Sequence, residues 1–531
     1  MKKITLRLFA AASALLLAGG LNSCNDFLTV NPKSDHPDYM LFTSERGFQD
    51  ALVGIYTILR EVNYCPGDSP VFGGFQKPND SNGLIELLSG FWKIDGRWNE
   101  MESQVYIHDY SGTKTKENIH SYFINQYKVV ANANQILRWI DDADQDFMSK
   151  EGRSYNIIKG EALAVKAFVL FDLIRTFGPS PADINKHSQL FIPYPDDLQV
   201  ESYPAETYAD FIARLIVDVT EAEQHLEKFD PIMTNSIASL ASYGESWLRS
   251  RHLRMNYYAT CALKARILLW AGQATEAKKY ADIVINAEVD GKKQFPFRPI
   301  GQYSALGSVV MPNQEMVFCL PFAKTIAYEL HPTSPNPEVE IRNNTRRFGL
   351  EGLPGQVLPD ADHLNAIYGD FNKDVRFIRM AAKESGSTNG MYAVTKWYPF
   401  NSSRSTNLVP MIRLSEMYLI AAEGALTSEE GMEYINTIWE NKRLDYNAAN
   451  PPVAPDDPSE FRDMILREYV RDFWGEGQIF YCYKRLGVDE ITYASMRYYS
   501  QHLYPSFGGP LPITFDEYIL PVPATEIQPL D

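Results

Sequence analysis

The sequence predicts a mostly α-helical protein in which helix pairs pack against an irregular, loop-rich region with short strands. Three observations carry that prediction. Apolar residues recur three and four apart, as Leu163, Ala167, Leu170, Phe171 and Ile174 do, which lines one face of a helix. Small residues sit where paired helices must approach closely: Ala259, Ala262 and Ala265 in one segment, Ala274, Ala277 and Ala281 in the next. Two long stretches, around 66–110 and 290–400, are instead rich in Gly, Pro, Asn and aromatics, and loops of that length are usually functional or carry strands. With 531 residues, 45% hydrophobic and 22% charged, the chain has ample material for a core, and disorder over most of its length is excluded. Length alone leaves open about three domains or one interlocked unit.

The chain begins with a targeting segment. Lys2, Lys3 and Arg7 precede an apolar stretch from Leu8 to Leu21, the order of a secretory signal and too short to span a bilayer. Leu21-Asn22-Ser23-Cys24 resembles a bacterial lipobox, in which a peptidase cuts before a diacylated cysteine. Residues 1–23 are therefore expected to be a signal peptide, with Cys24 the lipidated N-terminus; the alternative is an ordinary secreted protein with Cys24 in a loop. Two or three acyl chains anchor stably where one does not. No other stretch reaches about 18 apolar residues, so the body is expected to be a water-soluble globule tethered at its N-terminus.

Along the body, helices are expected over 121–141, over 161–178 with Gly178-Pro179 as the stop, and over 207–229. Segments 257–270 and 275–286 read as two helices joined at Gly272 and resemble a tetratricopeptide unit. A similar pair is expected over 411–425, with Leu414, Tyr418, Ala421 and Ala425 on one face, and over 430–443, with Met432, Ile435 and Trp439; a weaker candidate covers 459–474. The helical scaffold thus lies around 121–178, 207–286, 411–443 and 459–486. Cys65, Cys261, Cys319 and Cys482 are far apart, with no C-x-x-C pair and no His at zinc spacing, so neither a metal knuckle nor a redox motif is suggested. Cys261 is expected in the core, and no disulfide pairing is indicated.

Seven elements in one order then resemble a family. Cys24-Asn25-Asp26-Phe27-Leu28 with Pro32 looks like the mature N-terminus of the SusD/RagB lipoproteins. Residues 161–178 are similar to that family's Ala/Phe-rich helix through Asp172, Arg175, Phe177 and Gly178. Asp374 and Arg376 match its D-x-R element, and Lys396-Trp397 its Lys-aromatic pair. Arg413, Leu414, Glu416, Tyr418, Leu419, Ala422 and Glu423 match its R-L-x-E-x-Y-L-x-x-A-E helix; Glu476-Gly477 and Leu520-Pro521-Val522-Pro523 with Glu526 fit its endings. The chain departs at Ile479, where relatives usually have Arg, at Cys482, where Asp is customary, and at Trp439 with Lys442-Arg443, where an R-x-R is displaced. These departures put local salt bridges of the scaffold in question.

The resemblance implies a SusD-like fold, with four tetratricopeptide-like helix pairs against the loop-rich region, and 24–531 as a single unit. It further implies a cell-surface lipoprotein of the outer membrane, facing the exterior, that binds an oligosaccharide, or a peptide in some relatives. Such proteins act as a lid on a SusC-like TonB-dependent outer-membrane transporter. A periplasm-facing tetratricopeptide adaptor is the alternative from the helix pairs alone.

Sugar rings stack on aromatics while their hydroxyls need planar polar partners. The first loop region offers Asp80, Asn82, Trp92, Trp98 and Asn99; the second offers Tyr303, Tyr328 and Arg346. The competing reading is that these rings pack the loops onto the scaffold. No cofactor is expected. Asp370-x-Asn372-x-Asp374 imitates half a calcium loop, but Val375 and Ala381 stand where Gly and Glu are needed, and pairing of Asp374 with Arg376 or a nearby base fits better than metal. Hydrolase and nucleotide motifs are absent and the resemblance implies binding alone, so no enzyme is expected; a carboxylate pair for glycoside hydrolysis, which leaves no fixed spacing among 67 acids, is the open alternative. The formal charge of -17 opposes nucleic acid and suits neutral sugars. The 31 Tyr, 28 Phe and 8 Trp together equal the 67 acids, an excess of rings that the two loop regions are expected to use.

Overall fold

Caps and apolar spacing together set the helices. A computed structural model of the chain describes residues 41–60, 81–91, 100–142, 147–186, 190, 192–196, 206–304, 313–321, 361–378, 381–383, 392–394, 408–493 and 510–523. Its longer helices are α1 (Glu45–Ile58), α2 (Ser81–Leu87), α3 (Glu100–Tyr106), α4 (Thr113–Ile140), α5 (Arg153–Phe177), α6 (Tyr208–Glu227), α7 (Tyr257–Trp270), α8 (Ala274–Ile285), α9 (Ala361–Tyr368), α10 (Leu414–Glu423), α11 (Ser428–Lys442), α12 (Pro458–Phe473) and α13 (Ile479–Leu486). Side chains of Ser44, Thr207, Asn256, Thr427 and Asp457 accept the orphan N–H groups at the starts of α1, α6, α7, α11 and α12, and Pro458 occupies the first turn of α12.

The helices stack in a continuous series. α1 packs on α4 and α5, then α5 on α6, α6 on α7, and α7 on α8. There the chain leaves for more than a hundred residues and returns as α10, which packs on α8 and is followed by α11, α12 and α13. The two helices with least polar periodicity, α5 and α7, lie at the centre and are buried on nearly every side, as such helices must be. Close approach is enforced by small residues: a Cβ at Gly424 would run into the Ala274 carbonyl at the α8–α10 contact, and one at Gly160 would meet Leu226 at 2.8 Å.

Short antiparallel pairs account for the strands. They are β1 (Glu288–Val289) with β2 (Lys292–Lys293), β3 (Met316–Pro321) with β6 (Leu408–Arg413), β4 (Ala381–Lys383) with β5 (Tyr392–Val394), and β7 (Glu490–Ile491) with β8 (Leu511–Pro512). β1 and β2 are joined by Asp290-Gly291, both at positive φ, the conformation that matches a hairpin's twist. β6 corrects the expectation of a helix from 411: residues 411–413 end the strand, with Ile412 and Arg413 opposite Phe318 and Met316 of β3, and α10 begins only at Leu414. The partner strand lies about ninety residues back, and its ladder overrides the local helical spacing.

Elsewhere the helices fall where the pattern puts them, with α4 and α5 starting eight residues before the expected 121 and 161. α1, which the expected scaffold omits, nevertheless buries Phe48, Leu52 and Ile55. Cys261, Cys319 and Cys482 are buried free thiols. No described helix is long and apolar enough to cross a membrane.

Candidate functional site

The first loop region is tied down by one buried carboxylate. Glu86, near the end of α2, accepts the backbone N–H of Gly475 and of Gly477, each at 2.7 Å. Both glycines have positive φ, a backbone that L side chains rarely adopt, and this turn aims two amides at one anion. Between them Glu476 faces the other way and takes Arg413 through Nε and Nη2, both at 2.8 Å. Phe91 stacks on the buried Trp474 with centroids 5.8 Å apart. Tyr106 donates to the Gly90 carbonyl, while His108 bonds the Leu88 carbonyl through Nε2 and stacks on Phe480. Burial holds the His108 pKa down at about 4, so the imidazole is neutral at pH 7.

The second loop region reaches the same place from another direction. α9 is fixed to α12 by Tyr368, which donates to the Arg471 carbonyl, and by Arg471 Nε, which donates to the Ile367 carbonyl. Asp374 engages Arg376 through both oxygens, at 2.9 and 2.7 Å. Arg376 extends to Glu468 at 2.6 Å, and Arg413 reaches Asp472 at 2.8 Å. Burial alone would raise the Glu468 pKa, but Arg376 and Arg471 outweigh it and hold it at about 2. The carboxylate is thus ionised inside the protein, with Trp439 donating a further hydrogen bond. Residues 468–477 therefore receive both loop regions: α2 and Phe91 on one side, α9 and Asp374–Arg376 on the other.

The polar groups of this base are engaged with one another in the interior, as a support would be: Asp374, Glu468, Asp472 and Glu476 take Arg376, Arg413 and Arg471, while Glu86 takes two backbone amides. In the D-x-N-x-D run, Asp370 Oδ1 accepts the Asn372 N–H and both oxygens of Asp374 are occupied by Arg376, the pairing the sequence favours. Among the described residues, no group of three or more His, Cys, Asp or Glu is placed to hold a metal.

Of the proposed ligand contacts, Asp80, Trp92, Trp98, Asn99, Tyr328 and Arg346 lie outside the described residues, as do Cys24, Lys396 and Trp397. Asn82 falls in α2. For Tyr303 the competing reading, a ring that packs its loop onto the scaffold, fits the structure better than a ligand contact. Tyr303 is buried, its hydroxyl accepts from Lys442 Nζ at 2.9 Å, and Arg298 lies over its ring. Burial and the nearby Glu315 push its phenol up to about 12. It belongs to the packing of the second loop, held by the buried Lys442–Glu315 pair at 2.8 Å.

Sequence reasoning did not single out Glu86 or Trp474, although the Trp474-Gly475-Glu476-Gly477 run, two glycines around an acid, is a visible turn signal. The family departures are compensated: Lys442 pairs with Glu315, Trp439 bonds Glu468, and Arg443 pairs with Asp445. Ile479 and Cys482 are simply buried, and burial raises the Cys482 thiol to about 12.

The chain's likenesses agree with this architecture. Residues 370–530 match the SusD family, and residues 78–244 match the family described as "Starch-binding associating with outer membrane". The chain is 23% identical over 500 residues to the SusD-like protein P38 of Formosa agariphila, covering 87% of this chain and 88% of that one. A SusD superfamily protein of Bacteroides thetaiotaomicron superposes with a TM-score of 0.64 at 22% identity, covering 91% and 97% of the two chains. A SusD-like carbohydrate binding protein of Bacteroides vulgatus does so with 0.62 at 15% identity, covering 91% and 96%. Two SusD-type family models match in sequence over residues 78–244 and 370–530, and the SusD-like fold is shared across most of the chain's length.

Proposed function

We propose that the protein is a cell-surface lipoprotein that binds a nutrient oligosaccharide and serves as the lid of a SusC-like TonB-dependent outer-membrane transporter. The observation that carries this reading is the common rooting of both loop regions on residues 468–477, in a family whose descriptions name starch binding and outer-membrane association. Rooting two loops on one stiff base supports a site assembled from both, with the helical array supplying rigidity. Trp92 and Trp98, one residue and seven beyond the pinned Phe91, are the proposed stacking platforms. Asp80, Asn82, Asn99, Tyr328 and Arg346 are the proposed polar and aromatic partners. Acylation of Cys24 would tether the body to the membrane while leaving it free to swing.

Titration of the purified protein against a polysaccharide panel tests the ligand. Trp98→Ala is expected to weaken binding about tenfold, ~1.4 kcal/mol; unchanged affinity removes the first patch from the site. Saturable binding of peptides with none of glycans would replace the sugar. Protease treatment of intact cells tests the lid, since a surface protein is cut and a periplasmic adaptor is spared.

A further inference from the structure

Arg413 stands where several elements meet. Its backbone ends the β3–β6 ladder opposite Met316 and occupies the N-cap position of α10. Its buried side chain lies with Cζ 4.4 Å from the ring centroid of Phe473, the last residue of α12. Nε and Nη2 donate to the two oxygens of Glu476, each at 2.8 Å. Nη2 also donates to Asp472, to its carbonyl at 2.9 Å and to Oδ1 at 2.8 Å. One guanidinium thus grips the end of α12 and the turn that follows it.

Each of its two carboxylates leads outward to a different loop region. Glu476 lies between Gly475 and Gly477, whose N–H groups hold Glu86 of α2. The other oxygen of Asp472 lies 3.7 Å from Nη1 of Arg376, which takes Asp374 and Glu468. Glu468 also pairs with Arg471, whose Nε donates to the Ile367 carbonyl in α9. Because α12 ends at Phe473, Glu476 lies beyond its regular ladder, and Arg413 supplies the lateral tie from that turn to Asp472. If the turn carrying Glu476 moves, Nε loses its acceptor and Nη2 one of three, and an underpaired ion in the interior is penalised. The two roots therefore favour holding together or loosening together.

We propose that Arg413 is a positioning residue that couples the two loop regions, so that loosening or ordering of one is transmitted to the other. Under the function proposed above, a glycan that orders one region would stiffen the second. That consequence rests on the glycan reading, whereas the coupling itself is tested without a ligand and stands or falls apart from it.

The test is hydrogen exchange on the whole mature protein, read at amides that mark each root. Residues 88–91 mark the first; for the second, the Arg376 N–H donates to Asp374 Oδ1, and those of Phe377 and Ile378 donate to the Asp374 carbonyl. Glu86→Gln is expected to quicken exchange at 376–378 by about threefold or more, besides its local effect, with α5 and α6 unchanged. Arg413→Lys keeps the charge but loses the two-armed grip. In that background both roots should exchange faster, and Glu86→Gln should add nothing at 376–378. A residue with a merely structural role would give losses that add. The proposal is overturned by an effect of Glu86→Gln confined to α2 and 88–91, by equal quickening of α5 and α6, or by the same increment at 376–378 in both backgrounds. If Arg413→Lys does not fold, the comparison of the wild type with Glu86→Gln decides.

Discussion

The helical array and the loop regions are held by different forces. Within the array, neighbours in space are mostly neighbours in sequence, and the contacts are largely apolar, interrupted by a few buried ion pairs such as Arg251–Glu161 and Arg266–Glu416: every residue of α7 is buried, as are nearly all of α5. The loop regions are rooted by buried ions and amides whose partners are remote: Glu86 lies 389 and 391 positions from the glycines it binds, and Arg376 lies 92 from Glu468. Apolar packing is non-directional and tolerates repacking, whereas a buried charge without its partner is heavily penalised. The array should therefore be robust and the roots brittle, even where both are equally buried.

The largest break of that contrast is Arg376→Met. It strands Asp374 in the interior, leaves Glu468 with Arg471 as its remaining arginine, and should cost about 3–5 kcal/mol in chemical denaturation. Hydrogen exchange should show protection falling first in α9 and residues 374–378, with α5 and α7 affected last. Equal loss throughout would mean that roots and array unfold as one.

Acid should act next. The folded pKa of His108, about 4, lies below its ordinary value of 6.5, so the unfolded chain binds more protons between these values. Its contribution to stability is present above pH 6.5 and lost as pH falls towards 4, ~3 kcal/mol in all. Glu468 acts lower: with its carboxyl depressed from 4.5 to about 2, its contribution is present above pH 4.5 and lost on falling through 2. His108→Gln should remove most of the first loss and leave the second. A smaller slope from His225 and His252, which burial also pushes down, should persist. Denaturation midpoints measured from pH 7 to 3 check this.

The mildest change is Glu86→Gln. It keeps one acceptor but turns an amide towards the second glycine N–H, for about 2 kcal/mol. Exchange should quicken in α2 and residues 88–91 while the array is unchanged.

The sequence reading succeeded and failed along the same division. The span 257–270 is reproduced residue for residue as α7, and Gly178 caps α5 where the Gly-Pro signal stops it. The expected pairing of Asp374 with Arg376 is present because the two lie in one turn. Met411 to Arg413 carry helical spacing yet form a strand, since their ladder partner is remote. Tyr303 has the composition of a sugar platform, but Lys442, 139 positions away, draws it inside. Nothing near Glu86 announces that its partners are two backbone amides of the turn after α12.

The sequence by itself determined the helix pairs and the order of the motifs, because periodicity, caps and motifs are read from residues a few positions apart. Only the tertiary structure decided which of 67 acids meets which of 50 bases, and hence where the two loop regions converge. Partner choice among buried charges depends on geometry in space and has no spacing along the chain.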